Sequence, residues 1–124
     1  MQLQDILKTI ISALEYLRKA ADAKIKEDEK EVKWLTWRAS SDMEYGLFLF
    51  GIYYQEENKS SSWKLSVSKQ SKIESLIEST QEILKEAAKN FELENLEEAY
   101  KKMWIAKGQL LKIHDIFEKK QRLM

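Results

Sequence analysis

The chain has 124 residues, 44% of them hydrophobic and 34% charged. Lys and Arg total 21 and Asp and Glu total 21, so no net field draws it to nucleic acid or an anionic membrane. It contains no cysteine, which excludes disulfides and thiolate zinc sites.

This length fits a single domain, residues 1–124. The leading MQLQDILKTIISAL has no basic start and carries Asp5 and Lys8 within its apolar pattern, unlike a signal peptide. The longest apolar run, Gly46 to Tyr54, is far short of the ~20 residues that span a bilayer. These features predict a cytoplasmic protein. Abundant Lys and Glu without Cys is a composition that thermophiles favour.

Residues 2–26 are expected to form the first helix. Leu3, Ile6, Leu7, Ile10, Leu14, Leu17, Ala21 and Ile25 recur at helical spacing, with polar residues between them. KIKEDEKE follows as a helix end or connector. Next comes KWLTWRASSDMEYGLFLFGIYY, residues 33–54, with seven of the chain's thirteen aromatic residues and two of its three glycines.

That stretch has two readings. As a helix, Val32, Leu35, Ala39, Met43, Gly46, Phe50 and Tyr54 share a face. As strands, its aromatic and β-branched content is favourable, and Gly46 and Gly51 avoid a cost of about 1 kcal/mol each in a helix interior. ASSD resembles a turn, and Trp63, Leu65 and Val67 alternate with Lys64, Ser66 and Ser68. The expectation is therefore three antiparallel strands at about 31–39, 45–55 and 62–68.

Helical spacing returns over 70–90, with Ile73, Leu76, Ile77, Thr80, Ile83, Leu84, Ala87, Ala88 and Phe91 on one face. Ser71-Lys72-Ile73-Glu74 reads as a capping box, and Asn90 as a left-handed stop. Asn95 caps a last helix over 95–121, which buries Leu96, Ala99, Met103, Ala106, Leu110, Ile113 and Phe117. The expected fold is α+β: an N-terminal helix, a three-stranded antiparallel meander and a C-terminal helical hairpin. An all-α four-helix bundle is the alternative. The α-β-β-β-α order over about residues 1–91 resembles the double-stranded-RNA-binding domain in topology alone. SVSKQSKIES stands where that family has a basic, glycine-bounded helix start, and membership is not assigned.

Motifs for chemistry are sparse. His114 is the only histidine and falls on the inner side of the last helix, with Glu118 one turn on. No G-x-S-x-G, Gly-rich phosphate loop or Arg-x4–6-His ribonuclease motif occurs. The sequence predicts no enzyme activity, no catalytic residue, no metal and no cofactor. Charge is segregated: residues 74–98 carry net −6 and residues 99–124 net +5, so the last two helices are expected to complement each other.

If residues 46–54 form a middle strand, both its faces are apolar, and one meets the polar Lys64, Ser66 and Ser68 beside it. An open aromatic face predicts a protein-interaction module, acting as a small subunit, adaptor or homo-oligomer. The expected partner-binding residues are Trp34, Trp37, Phe48, Phe50, Tyr53 and Tyr54. The alternative is nucleic-acid binding, with these rings stacking on bases. Arg38, Lys64, Lys101, Lys112 and Lys119 would then contact phosphates. Neither a membrane nor a small-molecule substrate is expected as a partner.

Overall fold

Apolar side chains at helical spacing draw four segments into one bundle. The computed structural model describes residues 3–53 and 72–122 as α1 (Leu3–Ile25), α2 (Glu29–Tyr53), α3 (Ile73–Glu92) and α4 (Leu96–Arg122). The fold is all-α, the alternative above, and the α+β expectation is overturned along with its likeness to the RNA-binding order. Residues 31–39 and 45–53 form one continuous helix. The third expected strand, 62–68, lies outside the described residues.

Two physical terms decide against strands. The face Val32, Leu35, Ala39, Met43, Gly46 and Phe50 is buried as a single stripe. That packing outweighs propensity, because tertiary burial supplies most of a helix's stability. The glycine penalty is also smaller than it looked. Gly46 sits where α1 comes too close for a side chain, and Gly51 lies in an exposed last turn.

The helix ends follow local chemistry. Glu27 and Glu94 adopt left-handed φ values of 59° and 60°. Asp28 N–H then donates to Ala23 C=O and Glu27 N–H to Lys24 C=O; Asn95 N–H to Asn90 C=O and Glu94 N–H to Phe91 C=O repeat the pattern. Each is a Schellman close with glutamate where glycine is usual. The left-handed residue after α3 is thus Glu94, not Asn90. Asp28 caps α2, accepting from Glu31 N–H at 3.3 Å. Asn95 does precede α4. The residue before α3 is Lys72, which makes no side-chain cap bond; Ser71 of the expected capping box lies outside the described residues.

α1 packs on α2 and α3, and α4 packs on the same two. At one end Lys24 meets Glu74 at 3.9 Å and Lys120 meets Glu29 at 3.0 Å. At the other, the Phe50 ring lies 5.6 Å from Phe91 and 4.6 Å from Tyr100. So α1 and α4 run one way, and α2 and α3 run the other. α2 therefore ends at one end of the bundle and α3 begins at the other.

The core holds Ile6, Ile10, Leu17, Met43, Leu76, Leu84, Met103, Leu110 and Ile113. In α1 the stripe runs through Ala13 and Ala20 rather than Leu14 and Ala21, and Ile25, in the last turn, is exposed. Inside the bundle the Thr80 hydroxyl donates to the buried Gln109 Oε1 at 2.9 Å, and it also lies 2.7 Å from Leu76 C=O. The cross-helix ion pairs of α4 run to α2, through Lys107–Glu44 and Lys120–Glu29. Between α3 and α4, whose charges were expected to complement each other, Lys102 Nζ donates to Asn90 Oδ1 at 3.0 Å.

Candidate functional site: the outward face of α2

α2 has apolar side chains on two opposite sides. One side is its core stripe. On the other, Trp34 is 51% exposed, Trp37 54%, Tyr45 58%, Phe48 62% and Ile52 44%. With Arg38, Ser41 and Glu44 they form one band, because spacings of three, four and seven residues return to the same side of a helix. A bundle helix needs one apolar stripe, and this band is a second.

The band's two flanks are anchored differently. Toward α1, Trp34 meets Tyr16 edge-on with centroids 6.3 Å apart. The Arg38 guanidinium lies 5.4 Å from the Tyr16 ring and 5.7 Å from the Trp34 ring, and its Nη2 donates to Tyr16 Oη at 3.2 Å. Below this cluster sits Asp42. Burial pushes its carboxyl above the ordinary aspartate value, against a Ser12 hydrogen bond and the Arg38 charge, which both lower it. Its Oδ2 is buried with no hydrogen-bond partner.

Toward α4, Trp37 lines a cleft of about 190 Å³ with Ser40, Ser41, Glu44, Leu111, His114 and Phe117. Clefts that hold drug-sized ligands are larger, about 300–1,000 Å³. Ser41 Oγ donates to Trp37 C=O at 3.2 Å, and His114 Nε2 lies 3.4 Å from Glu118 Oε1. Both groups are thus bonded within their own helices. Glu44 reaches Lys107 at 3.9 Å, and Lys107 Nζ lies 5.1 Å from the Trp104 ring. Among the described residues no group of three or more His, Asp or Glu side chains could hold a metal. None of the described helices is long and apolar enough to cross a membrane.

The expected partner-binding residues divide accordingly. Trp34, Trp37 and Phe48 share the outward band, and Tyr53 is exposed in the last turn of α2. Phe50 is 1% exposed and belongs to the core, so its assignment to a partner surface is corrected. Tyr54 and Lys64 lie outside the described residues. Arg38 flanks the aromatic band, whereas Lys101, Lys112 and Lys119 lie on α4 opposite its buried stripe. Aromatic side chains and lysines therefore form separate strips on neighbouring helices, with Asp115 set between Lys112 and Lys119. Sequence reasoning missed Tyr45, Ile52 and Tyr16. The heptad spacings 34–41–48 and 38–45–52 were visible, but a strand reading sorts those residues by alternation instead. Comparisons with protein-family models, curated proteins and solved structures find no match for this chain.

Proposed function

We propose that this chain is a non-enzymatic protein-interaction module that docks through the outward face of α2. One observation carries the reading: Trp34, Trp37, Tyr45 and Phe48 are each about half exposed or more along a single well-formed helix. An aromatic side chain can bury 150–250 Å², so four half-exposed ones leave roughly 400 Å² of open aromatic surface. Patches of that size are often functional. At ~25 cal/mol per Å², covering it is worth about 10 kcal/mol before the cost of association. Trp and Tyr are also the residues enriched at interface hot spots.

The rival nucleic-acid reading has less behind it. Lys101, Lys112 and Lys119 lie on another helix from the aromatic band, and the chain's net charge is zero. Phosphate neutralisation, which dominates nucleic-acid affinity, has little to draw on here.

Fluorescence-detected sedimentation of the labelled chain tests the proposal, both pure and in host extract. Wild type is expected to associate, with itself or another chain, and Trp37→Glu/Phe48→Glu to sediment as a free monomer. A wild type that is monomeric in both settings, or associations that survive the double variant, would refute it. Salt-sensitive quenching of tryptophan emission by RNA or DNA, with no protein association, would favour the rival.

A further inference from the structure

The outward band of α2 is self-complementary about its midpoint. Seven residues either way from Ser41 reach Trp34 and Phe48. Four either way reach Trp37 and Tyr45, and three either way reach Arg38 and Glu44. Large aromatic residues thus face large aromatic residues across the midpoint, and a cation faces an anion. The midpoint itself is the small, exposed Ser41, beside Ser40.

From this pattern we infer that the partner of α2 is a second copy of the same chain. The two α2 helices pair antiparallel about a twofold axis at Ser41. The inference rests on the docking role proposed above and names its occupant. A twofold interface brings residue i of one copy to residue j of the other and j back to i. Trp34 then packs on Phe48 of the second copy and Trp37 on Tyr45, while Arg38 lies level with Glu44 and reaches it across the seam, each contact occurring twice. A parallel pairing would instead set Arg38 against Arg38 and Glu44 against Glu44.

The geometry within one copy prepares these contacts. The Arg38 guanidinium is held at the band's edge by the Tyr16 and Trp34 rings. Glu44 is exposed, and its bond to Lys107 is long at 3.9 Å, so its carboxylate can accept a second cation. Serine at the axis lets two backbones approach closely, while the aromatic residues fill the wider gaps on either side. The band from Trp34 to Ile52 runs about 27 Å at 1.5 Å rise per residue. Its aromatic area of roughly 400 Å² per copy, with Arg38, Ser41, Glu44 and Ile52 added, approaches the ~600–800 Å² per partner of specific interfaces.

Sedimentation equilibrium of the full chain is the test. Wild type is expected at twice its 14.7 kDa mass in the tens of micromolar. Arg38→Glu and Glu44→Arg should each weaken the dimer at least tenfold. Mixed one to one, these two variants should recover it, because all four charges are then opposed by their opposites. The chain has no cysteine, so Ser41→Cys should oxidise to a covalent dimer far faster than Glu86→Cys on α3. That change is small and exposed, and it keeps the test decisive if a charge variant misfolds. A monomer across the concentration range overturns self-pairing, as does a mixture that fails to recover, or equal cross-linking at the two cysteine positions. If the pure chain is monomeric yet associates in extract through α2, self-pairing fails and the docking role stands. If both associations are missing, both fail.

Discussion

Gly46 and Gly51 occupy the same helix and should respond oppositely to alanine. A methyl at Gly51 meets nothing within 4 Å, so Gly51→Ala gains only helix propensity, up to about 1 kcal/mol. A methyl at Gly46 would overlap the Thr9 hydroxyl, approach Met103 Cε to 2.8 Å and Thr9 Cβ to 3.2 Å. Met103 Cε is the end of a flexible chain and can yield. Thr9 cannot yield readily, because it is β-branched and its hydroxyl donates to Ile6 C=O at 2.6 Å. Overpacking of this kind costs about 1–3 kcal/mol, which exceeds the propensity gain. Gly46→Ala is therefore expected to destabilise by up to about 2 kcal/mol net, or several degrees in Tm. Urea unfolding followed by circular dichroism at one fixed protein concentration measures both variants. Thr9→Ala should recover part of the loss in the Gly46→Ala background, with a coupling of at least about 0.5 kcal/mol. Equal stabilisation by both glycine substitutions, or no coupling to Thr9, would refute this account of how α1 and α2 approach.

Asp42→Asn should raise stability at neutral pH. The folded state lifts the Asp42 carboxyl above its ordinary value, so the carboxylate is held at a cost once pH exceeds the folded pKa. That cost shrinks as pH falls through the folded pKa and is gone below the ordinary aspartate value, and thermal melts should show the variant's advantage shrinking across that window. Glu94→Gly should stabilise by about 0.5–1 kcal/mol, because φ of 60° strains a residue with a side chain. Glu27→Gly, with φ of 59° at the opposite end of the bundle, should add independently in chemical denaturation. Thr80→Val should cost about 1–3 kcal/mol by leaving the buried Gln109 amide without its partner. Gln109→Met should cost less, since the Thr80 hydroxyl can turn its one proton to Leu76 C=O, 2.7 Å away. Equal costs from the two would contradict the asymmetry.

Three of the four helices were legible because each has one apolar side. The inner faces expected for the last two helices are largely the buried ones, from Leu76 and Leu84 to Met103, Ile113 and Phe117. The connector KIKEDEKE is where α1 closes and α2 starts. α2 was misread because it is apolar on two sides, which blurs the helical period and mimics a strand buried on both faces. Its correct inner face, Val32 to Phe50, was nonetheless present at helical spacing. Periodicity within a segment is a local property, and it records how many apolar sides the segment has.

Which side is covered is not local. Phe48 and Phe50 are two residues apart and chemically identical, yet one is 62% exposed and the other 1%. Rings from α3 and α4, Phe91 and Tyr100, close over Phe50, on the side of α2 away from Phe48. Gly46 likewise reads as a helix breaker until Thr9 arrives across from it. The sequence by itself determined that residues 33–54 carry more aromatic surface than one core stripe can use. The tertiary structure alone decided which rings are left outside. Burial depends on neighbours supplied by distant parts of the chain, and those neighbours leave no mark on the spacing of the residues they cover.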